Sequence, residues 1–100
     1  MSSYLLVTPR EIGSQVAERI KLLRIQKNWT QATMSERSGV SLGSYRRFEQ
    51  TGEIAFSSLL LVAATLGRLA DFSRLFEPPE AQSLAELERF QQKERKRGRL

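Results

Sequence analysis

Apolar residues recur along this chain at helical spacing from residue 9 to residue 76 and thin out beyond it. Ile12, Val16, Ile20 and Leu23 fall on one helix face, so the pattern predicts a helix from Pro9 to about Lys27. Thr8 precedes it as a cap and stands three residues before Glu11, the spacing of a capping box, while Pro9 suits a first helical turn. Two shorter segments follow. Met34 and Ser35 mark the inner side of one, and Tyr45 and Phe48, at i and i+3, mark the buried stripe of the other. Phe56 to Leu66 predicts a fourth helix stopped at Gly67. Its run Leu59-Leu60-Leu61-Val62-Ala63-Ala64 is apolar nearly all round, more than a surface helix of a small monomer needs. One face must meet the core, and the surplus around Leu61 and Ala64 is expected to meet another chain. Leu69, Phe72, Leu75 and Phe76 predict a fifth helix, ended by Pro78-Pro79. Ser83-Leu84-Ala85-Glu86 predicts the opening of a short helix to about Gln92. The pattern as a whole is all-α.

The stretch from Thr30 to Gly52 carries the most information. Thr30 caps a helix that Gln31 opens, and Ser35 is small enough to let two helices cross closely. Gly39 supplies a left-handed turn that a Cβ would resist, Val40 plugs the gap between the helices, and Ser41 caps the second helix. With Tyr45 and Phe48 turned inward, Leu42, Gly43, Ser44, Arg46 and Arg47 are left to point elsewhere. Helix, tight turn and helix with arginines on the outer side is the layout of a helix-turn-helix, whose second helix enters the DNA major groove.

Thr30-Gln31, Gly39-Val40-Ser41 and Glu49 together resemble the Xre/lambda-repressor-like family of helix-turn-helix proteins. The resemblance covers roughly residues 9–76, with Ser35 standing where the family usually has Ala. It implies a lambda-repressor-like domain of four to five short helices, dimeric, that binds double-stranded DNA at a palindromic operator. It places base-contacting positions on Leu42, Gly43 and Arg47, and a structural pair on Arg24 and Glu49. Glu49-Gln50-Thr51-Gly52, one residue longer than the commoner ending and followed by Glu53-Ile54, resembles a subgroup of HipB-like antitoxins. So does Leu66-Gly67-Arg68-Leu69-Ala70-Asp71-Phe72 followed by Phe76-Glu77-Pro78-Pro79. That second resemblance implies a repressor of its own toxin–antitoxin operon with a HipA-like kinase toxin as protein partner. A phage-type or general regulator without a toxin is one alternative, and a protein-interaction adaptor that no longer binds DNA is another.

Composition narrows the chemistry. One hundred residues with 40% hydrophobic content make one small domain that a dimer would help to stabilise. Cysteine and histidine are both absent, which removes disulfides, zinc fingers and imidazole catalysis, and no phosphate-binding glycine loop or Ser-His arrangement is present. The expectation is a protein that is not an enzyme and takes neither cofactor nor metal. Tyr4-Leu5-Leu6-Val7 is too short for a signal peptide or membrane span, so a cytoplasmic protein is expected.

The net charge of +5 is unevenly spread. Residues 1–76 hold ten basic and six acidic side chains, residues 77–92 one and four, and residues 93–100 five and one. This divides the chain into an N-terminal arm (1–8), a basic DNA-binding domain (9–76), and a C-terminal part (77–100) comprising a short helix and a basic tail expected to be disordered. Lys93, Arg95, Lys96, Arg97 and Arg99 suit either phosphates beside an operator or an acidic partner surface. Arg46 and Arg47 can hold guanine O6 and N7 or only phosphates, and Leu42 can touch a thymine methyl. Gln31 and Ser41 can clamp phosphates at helix N-termini or simply cap them, with Lys27 and Asn28 beside the same phosphate. Trp29 reads as a plug at a helix junction. Leu61, Ala64, Phe72 and Phe76 are the expected dimer interface.

Overall fold

The computed structural model describes residues 7–79 and 85–92. Helix α1 spans Pro9–Gln26, α2 Gln31–Ser38, α3 Leu42–Thr51 and α4 Phe56–Thr65; a 3-10 turn at Leu69–Phe72 follows. Residues 85–92 form a further helix, α5, exposed along its whole length. No strand occurs among the described residues. Tyr4, Leu5 and Leu6 of the arm, the Ser83 cap and the basic tail lie outside the described residues.

Local chemistry sets the helix ends. The Thr8 hydroxyl accepts from the Glu11 amide at 3.1 Å while the Glu11 carboxylate accepts from the Thr8 amide at 2.9 Å, a complete capping box with Pro9 in the first turn. Thr30 caps α2 by accepting from the Thr33 amide, and Ser41 caps α3 by accepting from the Ser44 amide. Asn28, with φ 59°, carries the chain from α1 toward α2. Gly39 closes α2 at φ 82°, and the Ser35 hydroxyl donates to the Val40 carbonyl at 2.6 Å, pinning the turn between α2 and α3.

The core gathers Ala17 and Ile20 from α1, Met34 from α2, Val40 from the turn, Tyr45 and Phe48 from α3, and Val62 and Leu66 from the α4 segment. Tyr45, Phe48, Met34 and Val62 are the largest fully buried side chains, each contributing about 1.5–3 kcal/mol. The most buried positions of α1 are Ala17, Ile20 and Arg24, with Val16 and Leu23 of the expected stripe packed beside them; Ile12 alone of the four expected positions is exposed. Next to Ile12, Gly13 faces the end of α3, where only a glycine fits.

The expected fifth helix, Leu69–Phe76, is instead a 3-10 turn followed by open turns. The amides of Asp71, Ser73, Leu75 and Glu77 donate three residues back, to Arg68, Ala70, Phe72 and Arg74. Two constraints shorten it: Gly67 leaves α4 at φ 73°, and Pro78-Pro79 disfavours helical backbone before it, with Phe76 at φ 58°.

The end of α3 meets α1 through two glycines. A Cβ on Gly13 would lie 2.8 Å from the Gly52 carbonyl oxygen, and one on Gly52 would lie 2.6 Å from the Gly13 carbonyl carbon. Gly52 also holds φ 81°. Gly39 has a similar φ, but an added Cβ there meets open space. Gly39→Ala should therefore cost only the left-handed backbone term of roughly 1–2 kcal/mol, and Gly52→Ala clearly more, because α1 and α3 must also move apart. Urea melts of the two variants test this, and equal losses would contradict the close approach.

Candidate nucleic-acid interface

Helix α3 has one buried and one open side. Tyr45 and Phe48 are buried, whereas Gly43, Ser44, Arg46, Arg47 and Gln50 are exposed and Leu42 is half-buried at the rim. Gly43 faces open space, so a ligand could approach the backbone there. The Arg47 guanidinium bonds Glu53 at 2.7 Å through Nη2. Among the described residues Arg46 has no ion pair.

What holds α3 in place is one carboxylate. Arg24 on α1 donates from Nε to Glu49 Oε2 at 2.8 Å and from Nη2 to Oε1 at 3.1 Å. Gln31, the first residue of α2, donates from Nε2 to Glu49 Oε1 at 2.9 Å. The Tyr45 hydroxyl, one turn earlier on α3, donates to Oε2. Arg24 uses its remaining arm on the Trp29 carbonyl at 2.7 Å. The Arg24 and Glu49 side chains are only 10% and 5% exposed, and no buried side-chain polar atom among the described residues lacks a partner. Helices α1, α2 and α3 thus meet on a single anion.

The electrostatics follow. Burial pushes the Glu49 carboxyl up, but the hydrogen bonds from Arg24, Tyr45 and Gln31 outweigh it and leave the group below its ordinary 4.5. The Glu49 hydrogen bond raises Arg24 despite partial burial. Burial, together with the Glu49 bond, raises Tyr45, which stays a phenol donor.

The arrangement locates the other expected residues. The Gln31 side chain is committed to Glu49, so only its backbone amide and its neighbours at the start of α2 are open to an anion. The Ser41 oxygen accepts from the Ser44 amide at 3.2 Å, leaving its own proton to donate outward. Half-buried Trp29 packs against the core, its ring 5.4 Å from the Lys27 ammonium and 4.7 Å from the Arg37 guanidinium. Leu61 and Ala64 are exposed on α4 and Phe76 is 98% exposed. Phe72 packs edge-on against Phe56 at 5.9 Å, so part of its surface is already used within the chain.

Three features had no place in the sequence reading. The Gln31 bond to Glu49 leaves no spacing signature, and the Tyr45 bond to Glu49 left only the i,i+4 interval of one helix. The Gly13–Gly52 approach had one signal, a glycine inside a helix with no apparent use. The Arg47–Glu53 pair spans a left-handed turn, beyond the three- and four-residue intervals that a helix reveals.

The described residues contain no cluster of His, Cys, Asp or Glu able to hold a metal, and no helix among them is long and apolar enough to cross a membrane. Residues 20–72, more than half of the chain, match the family model HTH_3, described as Helix-turn-helix. No curated protein and no solved structure matches.

Because its folded-state value is lowered, Glu49 contributes stability that is fully present above about pH 4.5 and is lost as pH falls through that lower value. Glu49→Gln should be less stable at neutral pH and should lose less on acidification than the parent chain. Glu49→Ala, which strands a buried arginine, should cost on the order of 3 kcal/mol. Thermal melts between pH 6 and pH 3 check both. Identical acid sensitivity in Glu49→Gln and the parent would remove Glu49 from the explanation.

Proposed function

The chain belongs to the helix-turn-helix family HTH_3, a family of DNA-binding transcription regulators, and we propose that it is a dimeric repressor that reads a palindromic operator with α3. The observation that carries this reading is the division of α3 itself. Its inner side is consumed by Tyr45, Phe48 and the Glu49 cluster, while Gly43, Ser44, Arg46 and Arg47 stand in solvent on the other. Arg47 is the base reader, able to hold guanine O6 and N7, with Leu42 at the rim for a thymine methyl. Arg46, Ser41 and the backbone at the start of α2 take phosphates. The exposed Leu61 and Ala64 on α4, with Phe76 beyond it, form the two-fold contact, which sets the recognition helices about 34 Å apart.

A finer reading, in which the repressor is the antitoxin of a HipBA-like operon and also binds a kinase toxin, rests only on the resemblance of residues 49–54 and 66–79. DNA binding does not depend on it. Pull-down from the native host, with bound protein identified, tests that reading separately.

Two sets of variants test the proposal. Duplexes selected from a random pool by the parent protein should bind Arg47→Ala about 1–3 kcal/mol more weakly, with base preference relaxed at one position per half-site. Gly43→Ala should raise folding stability by roughly 0.5–1 kcal/mol, since α3 gains a better helix former, yet weaken the same DNA complex. A Gly43→Ala protein that is both more stable and equally tight on DNA would remove the close backbone approach from the account. Sedimentation at micromolar concentration should give a dimer for the parent and a monomer for Leu61→Glu. A monomeric parent would contradict the two-fold contact.

A further inference from the structure

Glu53 lies just past α3, yet it returns to touch it. Gly52 turns the chain at φ 81°, and Glu53 Oε1 then accepts from Arg47 Nη2 at 2.7 Å. A second link runs alongside. The Thr51 hydroxyl donates to the Arg47 carbonyl at 2.8 Å and accepts from the Glu53 amide at 3.1 Å. Arg47 and Glu53 are therefore joined through backbone and side chains at once. Gly52, between them, is held against Gly13 with no room for a Cβ, so the turn cannot relax without moving α1. The two side chains, together with Ser44, Ile54, Ala55 and Ser58, line an open pocket of about 410 Å³ between α3 and the start of α4.

An acidic group here needs a reason. The pair is exposed, at 67% and 64%, and such a pair adds little to folding. A carboxylate beside a DNA-reading helix repels phosphate, so it does not help general affinity either. What it does change is Arg47. A free arginine swings to any nearby phosphate. An arginine bonded to a carboxylate through Nη2 has its charge partly offset and its orientation biased, with other N–H groups left for a guanine edge.

We propose that Glu53 is a positioning residue: it braces Arg47 for base reading and suppresses its attraction to phosphate. This rests on the DNA-binding reading above and deepens it.

The test compares the parent, Glu53→Gln, Arg47→Ala and the double variant on two duplexes, one selected by the parent from a random pool and one of unrelated sequence, across a salt series. Glu53→Gln frees Arg47 for one added phosphate contact. Binding to unrelated DNA should tighten roughly three- to tenfold near 0.1 M salt, and the slope of log affinity against log salt should steepen by about 0.9. The preference for the selected duplex should fall by a similar factor, and all three changes should vanish in the Arg47→Ala background. Three results would overturn the role: an unchanged preference and slope in Glu53→Gln; a change that persists without Arg47, which would make Glu53 a simple repulsive charge; or a parent with no preference for any selected duplex, which would overturn the proposed function with it.

Discussion

A single nearly dry carboxylate governs this fold. Glu49 sits on α3, and its donors come from α1, the start of α2 and α3 itself. A charge so deep in a small domain is tolerable only if its lone pairs are filled, and here Arg24, Gln31 and Tyr45 fill them. The geometry of the cluster then sets the geometry of the domain. Arg24 cannot reach Glu49 bidentately unless α1 crosses α3 at this point, and Gln31 cannot reach it unless α2 begins beside the same spot.

The consequence for function is subtraction. Apolar packing takes Tyr45 and Phe48, and the carboxylate takes Glu49, so the inward side of α3 is fully spoken for. Gly43, Ser44, Arg46, Arg47, Gln50 and, at the helix end, Thr51 remain exposed. The far end of the helix is equally constrained, because Gly52 rests against Gly13 with backbone touching backbone. A frame fixed at both ends suits the proposed reading of bases by Arg47, because base recognition depends on orientation and phosphate attraction does not.

Much of this was legible in the chain. Thr8 with Glu11, Thr30, Gly39 and Ser41 announce helix ends through local chemistry, and Tyr45 with Phe48 announce the buried side of α3 through spacing. Local signals serve poorly where the deciding partner is remote. Ile12 looked like core but is exposed, while Gly13 beside it meets Gly52, a residue far away in sequence. Leu69 to Phe76 carried helical spacing, but the backbone limits imposed by Gly67 and the two prolines override it. The Gln31 bond to Glu49 depends on how α2 meets α3, and no one-dimensional pattern encodes that, whereas Tyr45 and Glu49 stand one turn apart on α3. Arg47 was visible as an outward cation, whereas its ion pair with Glu53 was not, since a left-handed turn brings Glu53 back to it.

The central claim is that the open side of α3 reads base edges in the major groove. Methylation interference on a selected duplex tests it most directly, because a methyl on guanine N7 sits in the major groove where an arginine must bond. The account predicts that methylation of one guanine in each half-site blocks binding of the parent protein and has no further effect on Arg47→Ala. Interference confined to adenine N3 in the minor groove, or none at any guanine, would contradict it.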